Sequence, residues 1–155
     1  MVVAFALHAI CKPIKLARGT NNLPTKNKKP SIADSRESFM IHITIGNKRE
    51  EAIEELKTKM AKKQLKLQPV ILVQGITIEQ VDQFFVVYDN VSYKFDSFLK
   101  CVDICFKICQ IFNFEYPKDS IVVWTFIQQY FYQISLDSDI KHHNITSLIN
   151  YLESS

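Results

Sequence analysis

The stretch FFVVYDNVSYKF, residues 84–95, holds two runs of β-branched and aromatic side chains on either side of Asp89 and Asn90. Such runs favour strands, and Asp and Asn tolerate the left-handed backbone that a two-residue hairpin turn demands. Closing the hairpin sets Tyr88 against Val91, Val86 against Tyr93 and Phe84 against Phe95, which makes one face apolar throughout. The other face pairs Val87 with Ser92 and Phe85 with Lys94. Two large apolar side chains therefore stand on the side that water would otherwise wet. Something must cover them, either the helix that starts at Asn47 or another chain.

Upstream, PVILVQG (69–75) is a short, wholly apolar strand candidate closed by Gly75, and FMIHITIGN (39–47) alternates as a half-buried strand or an extended lead-in does. Between them, NKREEAIEELKTKMAKKQLKL (47–67) predicts a helix capped by Asn47. Glu50, Glu51, Glu54 and Glu55 crowd its start and Lys57, Lys59, Lys62, Lys63 and Lys66 its end, each favourable to the macrodipole. Ile53, Leu56, Met60 and Leu67 form its narrow apolar stripe. Downstream, Ser97 is placed to cap a helix that carries CVDICFKICQ (101–110), whose polar residues form one thin line. After the break NFEYPKDS (113–120), IVVWTFIQQYFYQI (121–134) predicts a second apolar helix, with Thr125, Gln128, Gln129 and Gln133 as its wet edge and the pair as a helical hairpin.

Cys101, Cys105 and Cys109 share a helix face. Zinc ligands each sit about 2.3 Å from the ion, whereas the outer two thiols lie about 12 Å apart along the axis, so only neighbouring pairs could share a metal. No Cys-x-x-Cys or His pair is placed to complete such a site, and a buried cysteine behaves as a small hydrophobe. Core filling is the first reading and metal or redox chemistry the second. DSDIKHH (137–143) puts Asp139 and His143 one helical turn apart, a ligand pair without a third partner, against the plainer reading of a solvated tail. His8 and His42, alone among apolar residues, read as core or strand histidines.

The 155 residues suit one domain, and the net charge of +3 is unevenly spread. Lys12, Lys15, Arg18, Lys26, Lys28 and Lys29 give the first 33 residues +6 with no acid, and the remainder, with 13 basic and 16 acidic residues, is −3. KPIKLARGTNNLPTKNKKPS (12–31), with three prolines and no hydrophobic period, reads as a flexible basic linker. The apolar run VVAFALHAIC (2–11) is too short to span a bilayer. It lacks the flanking charge and cleavage pattern of a signal peptide, and reads as a short buried strand or helix. Four cysteines without a disulfide framework favour a reducing, intracellular compartment, cytoplasmic or nuclear. Glycines at 19, 46 and 75 alone exclude a Walker loop and a dinucleotide fingerprint, and no nucleophile motif is present. No cofactor, metal, membrane or catalytic residue is expected.

The segment from Ile45 to Ile134 resembles the C-terminal part of a family of uncharacterised, multi-copy animal proteins associated with mobile elements. The likeness lies in Arg49 and Glu50 at the start of the charged helix, in the hairpin, and in Asn113, Tyr116, Pro117 and Lys118 before the aromatic, Gln-containing helix. It implies an interaction domain and no activity. The expectation is an α+β fold: a small antiparallel sheet, made of the hairpin 84–95 and strand 70–74, packed with the charged helix and the apolar helical hairpin. A basic flexible arm (1–38) would precede a single domain (39–134) and a polar tail with a weak terminal helix (135–155). Protein interaction or self-association through Ile53, Leu56, Met60, Phe85 and Val87 is the expected function. The alternative is nucleic-acid binding assisted by Lys26, Lys28 and Lys29 of the arm.

Overall fold

The computed structural model describes residues 2–14, 29–44, 48–62, 68–89 and 91–155. The order of elements is α1 (Val2–Ile10), α2 (Ile32–Phe39), β1 (Met40–Ile43), α3 (Arg49–Lys62), β2 (Val70–Gly75), β3 (Val81–Tyr88), β4 (Val91–Phe95), α4 (Phe98–Ile111), α5 (Ile121–Phe131) and α6 (His143–Glu153). The α+β class holds. The chain divides into two compact units, one built from Phe39–Tyr116 and the other from Val3–Ser38 with Pro117–Ser155.

The first unit is a four-stranded sheet in the order β1-β2-β3-β4. The hairpin closes in the register read from the sequence: Tyr88 faces Val91, Val86 faces Tyr93 and Phe84 faces Phe95. Asp89 takes the left-handed conformation the turn requires, with φ of 56°. β2 pairs antiparallel to β3, and the register shifts at Gln74 and Gly75. A Cβ at position 75 would run into the Gln80 carbonyl oxygen, so only glycine fits that bulge. The sheet is mixed rather than purely antiparallel, because β1 joins it parallel to β2, with Met40 beside Ile71 and Ile43 beside Gln74. The physical reason is α3: a helix between two strands returns the chain to its starting end, and the second strand then runs in the same direction as the first.

Each sheet face has its own helix. Ile43, Val70, Leu72, Phe85 and Val87 form one apolar layer, and Ala52, Ile53 and Leu56 of α3 pack against it. The opposite face, which carries Ile71, Val73 and Val86, belongs to α4, which packs on β2, β3 and β4. α4 begins where expected: the Ser97 side chain accepts a hydrogen bond from the Lys100 N–H at 3.3 Å. Cys101, Cys105 and Cys109 are buried with Phe106 along its inner face. The thiols are filling between helix and sheet. Gln68 donates to the Glu115 carbonyl and ties the lead-in of β2 to the segment after α4.

The second unit draws on both ends of the chain. Of the expected arm, residues 3–10 of α1 and 32–38 of α2 lie in this unit, and His8, Cys11 and Ser35 are buried in it. α2 starts on a reciprocal cap, in which the Asp34 carboxylate accepts from the Ser31 N–H at 2.7 Å and the Asp34 N–H donates to the Ser31 hydroxyl at 3.1 Å. Asn144 of α6 donates to the Ile10 carbonyl at the end of α1, at 3.1 Å. The terminal helix expected within 135–155 is present as α6, with Ile145 buried and α6 packed on α5. α4 and α5, expected as a hairpin within one domain, fall in different units. The expected cap Asn47 and most of the linker 12–31 lie outside the described residues.

Candidate interaction surface

Four of the five residues expected to meet a partner lie in one apolar layer of the first unit. Phe85 is 3% exposed and Val87 2%, with Ile53 and Leu56 of α3 packed against their layer. The Arg49 guanidinium lies 4.8 Å from the centre of the Phe85 ring, a cation–π contact that closes the layer at the start of α3. Met60 belongs to α3, but its side chain lies outside the described residues. Of the two covers considered for Phe85 and Val87, the chain's own helix is the one present. Ile53 and Leu56 of α3 and the apolar residues on the sheet satisfy each other.

Among the described residues, the more exposed margin of the sheet is β4. β4 stands last in the sheet, and four of its five residues are exposed, among them Val91 at 47% and Tyr93 at 52%. In a two-residue hairpin the residues flanking the loop exchange both backbone hydrogen bonds, and the pattern repeats at every second residue. Val91, Tyr93 and Phe95 therefore turn their backbone groups towards β3. Ser92 and Lys94 turn theirs outward, to the open edge. On the face of Val91 and Tyr93, Tyr88 stacks on Phe112 with ring centres 5.9 Å apart, and Phe112 stacks on Phe114 at 5.8 Å. Phe112 is itself 56% exposed, and Ile111 beside it is more exposed still. The signal for this margin lay in the alternation of the hairpin and in FNF after the apolar helix, residues that the sequence reading assigned to a covered face and a chain break.

The thiols and His8 are shifted by their burial. Burial pushes the Cys11 thiol up to about 11 and the Cys109 thiol to about 12. Cys101 is raised to about 12 by burial and then by Asp96, and Cys105 lies well above the ordinary value through burial and then its two neighbouring thiols. Such thiols are protonated at neutral pH and poor nucleophiles. His8 Nδ1 and the Ser35 hydroxyl meet at 2.8 Å, a pair of the kind that activates a serine, but both are buried beyond the reach of a substrate. Burial, then the charge of Arg36, holds the His8 pKa at about 4. His42 lies in β1 with its Nε2 3.1 Å from the Gly75 carbonyl oxygen, the strand role read for it.

Asp139, paired with His143 in the sequence reading, sits instead in a turn before α6 and accepts hydrogen bonds inside the second unit. Its carboxylate accepts from Gln128 Nε2 at 2.9 Å, from Gln129 Nε2 at 3.1 Å and from the Leu136 N–H at 2.9 Å. For that reason Gln128, predicted as part of a wet edge, is buried. Thr125 is buried as well, its hydroxyl donating back to the Ile121 carbonyl at 2.9 Å. Among the described residues no three His, Cys, Asp or Glu side chains gather to hold a metal ion. No described helix is long and apolar enough to cross a membrane. Of the arm lysines, Lys29 is exposed, and Lys26 and Lys28 lie outside the described residues.

No protein-family model, curated protein or solved structure matches this chain.

Proposed function

We propose that the chain is a non-enzymatic protein-interaction or self-association domain that works through the β4 margin of its sheet. The observation that carries this reading is the meeting of an open sheet edge with exposed apolar residues: Val91, Tyr93 and Phe112. An edge with outward backbone groups and an apolar flank is a template for another strand. The resemblance of residues 45–134 to the C-terminal part of the mobile-element-associated family supports the same kind of role. Buried, protonated thiols and a buried His–Ser pair offer no site for a reaction, and four free thiols suit a reducing compartment.

Light scattering over a wide concentration series, with the wild type beside Tyr93→Ser and Phe112→Ser, tests the reading. A mass that rises with concentration in the wild type and not in the variants is expected. A strict monomer whose retention on any protein bait is unchanged by both substitutions would remove it. The second reading, nucleic-acid contact, is supported by the +6 charge of the first 33 residues and by the exposure of Lys29. It is tested by substitution rather than truncation, since α1 belongs to a folded unit. Changing Lys26, Lys28 and Lys29 to glutamine would then lower the salt slope of binding by about three.

A further inference from the structure

We infer that two copies of this chain pair through β4, antiparallel, about a two-fold axis at Tyr93. The inference rests on the self-association reading above and names its partner. The outward backbone groups of β4 are those of Ser92 and Lys94, so a strand added there must oppose an outward residue with an outward residue. Three self-registers meet that condition. Centring on Lys94 sets two lysines directly opposite each other, which is unfavourable. Centring on Ser92 leaves Phe95 against Asp89, beyond the end of the strand. Centring on Tyr93 pairs all five residues of one β4 with all five of the other.

In that register Ser92 of each copy faces Lys94 of the other, and these pairs exchange four backbone hydrogen bonds. Tyr93 faces Tyr93, and Val91 faces Phe95 twice, which joins the exposed apolar residues of the two copies into one row. The two lysines meet only on the diagonal, about 7–8 Å apart, where solvent screens them. The contact is self-complementary, as a two-fold interface requires. The sequence VSYKF thus reads the same in outline from either end: apolar, polar, tyrosine, polar, apolar.

The full chain carrying Tyr93→Cys tests this under mild oxidation. Directly opposed residues of a non-hydrogen-bonded pair have Cα atoms about 4.5 Å apart, within disulfide reach. The four native thiols are buried and contribute no background. Tyr93→Cys is expected to run as a covalent dimer. Ser92→Cys, whose copies sit on a diagonal about 8 Å apart, stays unlinked. Adding Lys94→Pro removes an outward N–H that β3 does not use, and weakens association roughly tenfold or more. Continued protection of the native thiols shows that each variant is folded. Failure of Tyr93→Cys to link, or equal linking by Ser92→Cys, overturns the inference. If the wild type still associates in that case, self-association stands and another surface carries it. A wild type that is monomeric at every concentration removes both. Should Lys94→Pro fail to fold, the comparison of the two cysteine variants decides alone.

Discussion

The two units differ in what they bury. The unit of Phe39–Tyr116 fills its core with aliphatic and aromatic side chains and three thiols, whereas the buried polar side chains among the described residues, His8, Ser35, Ser120, Thr125 and Gln128, all belong to the other unit. One unit is held by surface removed from water, which is non-directional and indifferent to pH. The other must satisfy specific donors and acceptors, each of which costs free energy if its partner is lost. The cysteines make the difference measurable. Cys101, Cys105 and Cys109 report on the first unit and Cys11 on the second, because each becomes reactive only when its surroundings open.

The largest effect comes from the apolar layer under α3. Phe85→Ala deletes a buried ring and strands the Arg49 guanidinium above a cavity, at a cost of about 3–5 kcal/mol. Thiol labelling during denaturant titration would then show Cys101, Cys105 and Cys109 opening early while Cys11 keeps its protection. If Cys11 opens with them, the two units unfold as one and the contrast between them is lost.

Acid should act in the opposite way. His8 is held at about 4, below its ordinary 6.5, by burial and then by Arg36. Between those values the unfolded chain takes up a proton that the folded chain refuses, so stability is complete above 6.5, falls as pH drops, and levels off below about 4. The loss amounts to about 3 kcal/mol. His142 adds to it in the same direction, since burial, then His143 and Lys29, lower its pKa too. Measured against a free thiol at the same pH, Cys11 labelling should therefore rise from pH 6.5 to 4 while that of the other three thiols changes little. In His8→Gln most of that slope should vanish.

A smaller loss is expected from Asp139→Ala, which leaves the buried Gln128 amide without its carboxylate acceptor. Removing one partner from a buried pair costs about 1–3 kcal/mol. It should appear as faster Cys11 labelling at neutral pH, with the first unit unaffected. Asp139→Asn keeps an acceptor oxygen and should recover part of the loss.

The same contrast explains what could be read from the sequence. The hairpin register was legible because a two-residue loop leaves no slack, and α4 because a thin polar line on an apolar helix has only one buried arrangement. The helix after Asn47 was one of the two covers expected for the Phe85 face, and as α3 it is the one present. What was not drawn from it is that a helix between two strands brings the second back parallel to the first, which would have predicted the parallel β1. The second unit was not legible as a unit. Its pieces, Val3–Ser38 and Pro117–Ser155, are separated by the whole of the first, and no periodicity records that Gln128 will meet Asp139 or that His8 will meet Ser35. One local signal was there to be used, Ser31 followed three residues on by Asp34, the cap that starts α2. The exposed β4 margin was missed for a related reason: exposure of Val91 and Tyr93 depends on β4 being last in the sheet, which is a property of strand order and not of the strand.

The smallest test probes the link between the open edge and the thiol helix directly. Ser97, two residues beyond β4, caps α4 by accepting from the Lys100 N–H. Ser97→Ala leaves that donor to water and should cost about 1 kcal/mol. The loss falls on the first turn of α4, which holds Cys101 but is more than two turns from Cys109. If α4 frays locally, Cys101 becomes reactive before Cys109, under native conditions and without any change at Cys11. If all three thiols of the helix open together, α4 and the sheet form one cooperative block, and the margin proposed to pair with a second copy is as rigid as the core behind it. Pre-organised strands lose little entropy on docking, so the cooperative result would favour tight pairing at β4 and the local result weak pairing.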